Sequence, residues 1–377
     1  MRVALVCDWF LPRQGGIELH LRDLALALRA RGVDARIVTT TRGADEVDGV
    51  PVHRVRVALA PGAGFAWTPR ALSSVRDVIR AEQFDVVHAH ASVVSPVAYA
   101  GALAGAREGA ASVLTFHSML HRSSFLLGAS EALFGWSRGR ILLSAVSSVV
   151  AAQAARWIPD AGVCVLPNGI DVSFWRAASH ARANADPVVF ASAMRLSRKK
   201  RPERLVRAFA SAVRFASGSP LMRLVIAGDG PDRLALRRLA DSLDVGPLVD
   251  LPGHLDRPAL RELYGQAHVF VLPSERESFG IAALEARAAG LPVIAMIAGG
   301  ARDFIAGGVD GLLVHDDAQL ARAISRLAIE SPMRAYLAAH NRAVAPDYDW
   351  SDVAALHIRY YGEAAALRDR AARSSQG

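Results

Sequence analysis

Between Val3 and Val314, short and continuously apolar runs alternate with longer Ala/Leu/Arg segments of helical period. That alternation limits the possible folds more than any other feature. A strand that is apolar at every position, rather than every second one, is covered on both faces, as in a parallel sheet between layers of helices. In the first half the strands fall at Val3–Cys7, Ala35–Thr40, Val52–Val57, Val86–His88, Val113–Phe116, Ile141–Val146 and Val163–Leu166. Between them run helices such as Glu18–Ala30, whose Leu21, Leu24 and Leu28 share one face. The rhythm halts at Pro167-Asn168-Gly169-Ile170-Asp171 and the polar stretch Arg176–Pro187. It then restarts with Val188–Ala193, Arg223–Ala227, Val249–Leu251, Val269–Leu272, Val293–Met296 and Leu312–Val314. A chain of 377 residues has room for two cores. The expected architecture is α/β: two doubly wound, Rossmann-like domains, residues 1–172 and 173–348, facing each other across a cleft. Residues 349–377 form a terminal helix, with Trp350–Arg370 as its body, packing back on the first domain.

Composition narrows the setting. With 52% hydrophobic and 21% charged residues the chain is globular, and it has no apolar run long enough to span a bilayer. The apolar N-terminus meets Asp8 at once and offers no small-residue cleavage site, so it reads as a buried strand rather than a leader, and the expected location is the cytoplasm. Cys7 and Cys164 each lie in an apolar run and read as two buried free thiols of a reducing compartment. No Cys/His spacing suggests zinc. The net charge of +8 is spread along the chain, without the aromatic-interleaved basic stripe of a nucleic-acid binder. It suits phosphate-bearing ligands and peripheral contact with the anionic inner face of a membrane. Of 44 basic residues only two are lysine, and these are adjacent, Lys199 and Lys200.

Three loops carry the candidate chemistry. In Glu277-Ser278-Phe279-Gly280-Ile281-Ala282-Ala283-Leu284-Glu285, two glutamates bracket a Ser-Phe-Gly turn that follows a strand and opens a helix. Such a turn offers the backbone N–H groups of Phe279, Gly280 and Ile281 to a diphosphate, and both carboxylates suit vicinal hydroxyls. In Met194-Arg195-Leu196-Ser197-Arg198-Lys199-Lys200-Arg201-Pro202, a strand runs out into a basic loop. Basic residues at the start of a helix oppose its dipole unless an anion sits there, so Arg195 and Lys200 read as phosphate ligands. In Leu11-Pro12-Arg13-Gln14-Gly15-Gly16-Ile17-Glu18, the glycine pair permits close backbone approach to a ligand. No Gly-x-Gly-x-x-Gly follows the first strand, and Gly228-Asp229-Gly230-Pro231 stops short of one, which counts against a dinucleotide enzyme. Histidines close strands in the first half: His88, His90 and, the best site candidate among them, His117 in Thr-Phe-His-Ser. His20, His254 and His315 read as ordinary loop or helix residues on pattern alone.

The ordered set resembles glycosyltransferase family 4, the retaining GT-B enzymes. It comprises the Gly-Gly-Ile-Glu loop, Pro167–Asp171, Arg195 with Lys200, Ala227–Pro231, the Glu277–Glu285 span and Gly290-Leu291-Pro292-Val293, and so covers nearly the whole chain. Gly-Gly-Ile-Glu and Thr-Phe-His-Ser are also similar to the phosphatidylinositol N-acetylglucosaminyltransferase type of member. The resemblance implies hexosyl transfer from a nucleotide-sugar, of UDP-N-acetylglucosamine or GDP-mannose type, held by the second domain. The acceptor would be a lipid-linked, glycan or small-molecule hydroxyl. By the same resemblance Arg195 and Lys200 hold the donor diphosphate, helped by amides at Gly15, Gly16 and Gly280–Ile281. Glu277 takes sugar hydroxyls, Glu285 takes the ribose, the backbone about Gly230 and His254 meets the nucleoside, and His117 meets the transferred sugar. No cofactor and no metal are implied; Asp347-Tyr348-Asp349 matches the Asp-x-Asp signature of metal-using transferases but precedes the terminal helix and reads as its cap. Two alternatives stay open: a nucleotide-sugar epimerase of the same fold, and a non-catalytic nucleotide-sugar-binding subunit.

Overall fold

The structure is a computed structural model that describes residues 1–13, 15–55, 69–120, 140–158, 162–179, 187–217 and 221–374. The chain divides into two compact units, Met1–Gly169 with Tyr348–Gly377, and Ile170–Asp347.

The first unit holds β1 (Arg2–Cys7), β2 (Asp34–Thr39), β3 (Glu46–Val47), β4 (Val50–Arg54), β5 (Val86–Ala91), β6 (Ala111–Phe116), β7 (Ile141–Ala145) and β8 (Val163–Val165). The sheet order is β3-β4-β2-β1-β5-β6-β7-β8. All pairings are parallel except β3 with β4. That hairpin turns on Asp48 and Gly49, both at positive φ (51° and 78°), the Asp-Gly geometry that matches strand twist. Helices α1 (Gly16–Ala30), α2 (Pro69–Glu82), α3 (Pro96–Arg107) and α4 (Ser148–Ala155) connect the strands. Strand β5 runs three residues past the expected Val86–His88, so His88 and His90 lie within it and share one face. Strand β4 ends at Arg54, short of the expected Val57, and residues 56–57 lie outside the described set.

The second unit is a wholly parallel sheet: β9 (Val188–Ala193), β10 (Met222–Ala227), β11 (Val249–Gly253), β12 (Val269–Leu272), β13 (Val293–Met296) and β14 (Gly311–Val314). Their order is β11-β10-β9-β12-β13-β14. Around it lie α5 (Val172–Arg176), α6 (Pro202–Phe215), α7 (Arg233–Ser242), α8 (Arg257–Gln266), α9 (Ile281–Ala288), α10 (Asp317–Ile329) and α11 (Ser331–Ala343). The final helix α12 (Trp350–Ser374) belongs to the first unit, where Ala354, Tyr361 and Ala364 join the core built on Val3, Leu5, Leu21 and Leu24. Among the described residues no helix is long and apolar enough to cross a membrane.

The topology marks where a ligand can bind. Each chain path steps outward from a central strand, then returns to that strand's other side. The reversal lies between β1 and β5 in one sheet and between β9 and β12 in the other. Loops leaving the carboxyl ends of such paired strands diverge and leave a crevice. The candidate loops leave these four strands and β6.

Cys7 is buried and its thiol is pushed up by burial, whereas Cys164 is only half-buried because β8 is an edge strand. The expectation of two buried thiols therefore holds for Cys7 alone.

Candidate active site

In the second unit the loop after β9 is tied to the loop after β10. The Met194 N–H donates to Ala227 O at 3.0 Å and the Leu196 N–H to Asp229 O at 2.9 Å. A Cβ on Gly230 would lie 2.2 Å from Leu196 O, so this close approach requires glycine. The chain then makes a 3-10 turn, Arg198–Lys200, that ends at Arg201 with φ +60°. A left-handed arginine persists only where its surroundings hold it. Here its guanidinium reaches Glu275 at 2.8 Å, Asp317 at 2.8 Å and Pro273 O at 3.3 Å. The Ser274 hydroxyl meanwhile donates to Lys200 O at 3.2 Å. The basic loop is thus fastened to the loop after β12, and Lys200 is delivered to that loop's glutamate.

The ammonium of Lys200 donates to Glu277 Oε2 at 2.7 Å. Its side chain is 32% exposed and that of Glu277 only 11%. A pair with one partner nearly dry and the other a third exposed adds little net stability, because desolvation offsets the attraction. Stability is a poor reason for it to exist. The Gly300 N–H donates to Glu277 O at 2.8 Å, and a Cβ on Gly300 would lie 2.3 Å from Ser278 O, so the second glycine of Gly299-Gly300 presses the glutamate loop into place. Gly280, with φ +101°, is the N-cap of α9, and no side-chain oxygen caps that helix end. The first amides of α9 have no carbonyl one turn behind them and so form an anion-accepting helix end. Phe279 itself is buried against Phe304, ring centroids 5.3 Å apart, so its side chain is turned to the core. Glu285 sits in the second turn of α9, 8% exposed. Arg195 is exposed at the end of β9, and His254 is exposed just past β11, two strands away in the sheet.

In the first unit Gly15 caps α1 in extended geometry, and a Cβ there would meet the Glu18 carboxylate at 2.4 Å. Burial raises the pKa of that carboxyl above its usual range, with Arg13 at 3.6 Å partly offsetting it. Gly16 differs: a Cβ on it would meet nothing within 4 Å. His117 leaves β6 with its N–H donating to Ala91 O at 2.8 Å, and its Nε2 is 2.9 Å from His90 Nδ1. The ring of His20, from α1, has its centroid 5.2 Å from that of His117 and 5.3 Å from that of Trp350. His88 stacks on His90 at 4.0 Å and is bonded to Tyr361 Oη at 3.0 Å and Thr115 Oγ1 at 2.6 Å. His357 completes a buried cluster of five. Burial, reinforced by neighbouring imidazoles, drives His20, His88 and His90 well below the ordinary histidine range and His117 to about 3. Burial alone lowers His357 to about 4. These rings are neutral at physiological pH.

The structure therefore joins Lys200 to Glu277, and His117 to His90. It places Arg195 and His254 in the open. It corrects the reading of His20 as an ordinary helix residue, since His20 is buried beside His117. It adds Arg201, Ser274, Gly299 and Gly300, which position the glutamate loop; the Gly-Gly pair after a strand was the only visible hint of them.

Residues 14–174 match the family model for glycosyltransferase family 4, and residues 174–344 match that for glycosyl transferases group 1. A GDP-mannose-dependent alpha-mannosyltransferase of Mycolicibacterium smegmatis is 33% identical over 341 residues, spanning 84% of this chain and 85% of its own. The chain belongs to glycosyltransferase family 4. A D-inositol 3-phosphate glycosyltransferase of Acidothermus cellulolyticus is 30% identical over 424 residues, spanning 98% of this chain and 92% of its own. Among solved structures, HepE of Anabaena in complex with UDP aligns with a TM-score of 0.77 at 21% identity, over 96% of this chain and 100% of that one. The lipopolysaccharide glycosyltransferase WaaG aligns at 0.65 and 18%, over 91% and 95%. The fold is GT-B, and the family 4 chain is a nucleotide-sugar-dependent glycosyltransferase.

Proposed function

We propose that this family 4 member is a retaining, metal-independent hexosyltransferase, with its donor held by the second unit. The observation that carries the reading is the Lys200–Glu277 pair, 2.7 Å long, on the loop that opens the uncapped α9. Lys200 and Arg195 offset the charge that gathers on the departing diphosphate as the C1–O bond breaks, and the amides at Gly280 and Ile281 add to this. Glu277 holds the sugar hydroxyls and Glu285 the ribose. The backbone at Gly230 and His254 serves the nucleoside. The open space over Gly16 supports an approach of the diphosphate there, and His117 contacts the sugar. The acceptor oxygen bonds to C1 on the face the diphosphate leaves, so configuration is kept, and the departing phosphate takes the acceptor's proton. No metal is needed where two cations already face the phosphates. The Asp-x-Asp match has a structural use: Asp349 Oδ1 accepts the Ser351 N–H at 2.9 Å at the start of α12.

GDP-mannose and UDP-N-acetylglucosamine are the donors proposed, the former supported by the mannosyltransferase likeness. A phosphorylated polyol, free or in a lipid, is the acceptor supported by the inositol-phosphate relatives, ahead of a glycan or another small molecule. The net charge of +8 suits such acceptors and a peripheral position at the cytoplasmic face of a membrane.

Thermal stabilisation by UDP against GDP identifies the base, since a ligand that binds only the native state raises the melting temperature. Transfer by Glu277→Ala and Lys200→Ala then tests the site. Turnover near wild type in either variant, with the fold intact, removes this assignment.

A further inference from the structure

Of the five buried histidines among the described residues, two are bonded to groups outside the histidine cluster. His88 is bonded at both ring nitrogens, and His357 Nδ1 donates to Val353 O at 2.8 Å. The other three are placed differently. One ring nitrogen from each of His20, His90 and His117 lies within 4.8 Å of the other two, and these residues are 4%, 2% and 6% exposed. They come from three separate elements, α1, β5 and the end of β6. His20 Nδ1 and His90 Nε2 are buried without a hydrogen-bond partner among the described residues. Burying a polar atom without a partner costs free energy, so two in one three-ring cluster call for a ligand. What neutral imidazoles offer in common is lone pairs.

We propose that His20, His90 and His117 form a transition-metal site, zinc by preference, whose occupation switches the transferase off by withdrawing His117. Three neutral nitrogen donors without a carboxylate suit Zn²⁺ or Co²⁺ and not Mg²⁺ or Ca²⁺, and three histidines leave a fourth position for water. Zinc–nitrogen bonds of about 2.0–2.1 Å need donors roughly 3.3 Å apart, so the rings close inward by rotation. The His90–His117 hydrogen bond gives way, and each ring moves its N–H to the nitrogen facing away from the metal. No net proton is released. The site is an inhibitory one, beside a reaction that needs no metal. Binding stands on the histidines alone; the shut-off rests on the proposed contact between His117 and the sugar.

The full chain, stripped with EDTA and desalted, is titrated with Zn²⁺ by calorimetry and with Co²⁺ by visible absorption. One ion per chain is expected, with the intense d–d bands of a four- or five-coordinate cobalt site. His20→Ala and His90→Ala should each weaken binding at least about tenfold. Melting of each metal-free variant separates a lost ligand from a lost fold, and the cobalt spectrum of wild type tests the site without any substitution. In transfer assays, micromolar Zn²⁺ should inhibit wild type reversibly, while His20→Ala keeps its metal-free rate and resists inhibition. No stoichiometric binding, or binding unchanged in both variants, overturns the site. Zinc binding through these histidines without loss of transfer overturns the shut-off and also the role given to His117. Metal-free protein that transfers no sugar from any donor fails the hexosyltransferase reading, while the titrations still decide the metal.

Discussion

The two units follow the same topological rule and furnish their switch points with opposite materials. Around β5 and β6 the first unit gathers buried, uncharged imidazoles, with Trp350 and Tyr361 from the far end of the chain. Around β9 and β12 the second unit gathers charge on loops: Arg195 exposed, Lys200 paired with Glu277, and Arg201 gripping two acids. Among the described residues the histidine layer carries no charge at neutral pH, whereas the second unit's loops hold Lys200 and Arg201 at fixed points. A fold built twice from the same plan thus need not divide its chemistry evenly, and the proposed leaving-group role rests on the charged half.

Within the second unit a further contrast sharpens this. Arg287 and Asp310 form an ion pair at 2.8 Å with side chains 10% and 6% exposed, and Asp310 also accepts the Ala306 N–H at 2.8 Å. That pair is structural, so Asp310→Ala should lose about 3–5 kcal/mol of stability, read by denaturant unfolding, because it strands a buried guanidinium. If stability barely moves, the division between structural and chemical pairs fails. Glu277→Ala should do the reverse: a melting temperature near wild type and a loss of about 10²–10³ in kcat, on the order of 2.7–4 kcal/mol in the barrier. The first unit has its own test in Asp8, a buried carboxyl at the end of β1 that accepts the Val97 and Ala98 N–H groups at 3.1 and 3.3 Å. Burial holds its pKa up at about 6, above the ordinary 3.8. The native state therefore binds the extra proton, and stability falls as pH rises through this window, by at most about 3 kcal/mol. Asp8→Asn should gain on wild type between pH 4 and 7; a flat difference in unfolding free energy across that range refutes the shift. The smallest effect expected is none: transfer should survive EDTA, and a strict need for a divalent ion would break the claim that Arg195 and Lys200 suffice.

Much of the fold was legible because buried parallel strands have a composition few other elements share. Val188–Ala193, Val269–Leu272 and Val293–Met296 were readable to the residue. Legibility failed where a polar residue has a tertiary reason to be inside. Strand β5 was cut short at His88 because His90 breaks the apolar run, yet His90 is covered by rings from α1 and β6. His20 looked like an ordinary helix residue because its neighbours His117 and Trp350 are far away in sequence. The basic loop and the Glu277–Glu285 span were conspicuous as motifs. Nothing local revealed that Arg201 would sit at positive φ and fasten one loop to the other, since that conformation is imposed by Glu275, Pro273 and Asp317.

The return of α12 to the first unit bears on how the molecule is made. Tyr361 bonds His88, and Ala354 and Ala364 fill the core beneath β1 and β5. A nascent chain reaching Asp347 has every residue of the second unit and lacks part of the first. The first unit is therefore completed only after the second has been synthesised, and until α12 emerges the histidine layer lacks the Tyr361 phenol and the Trp350 ring.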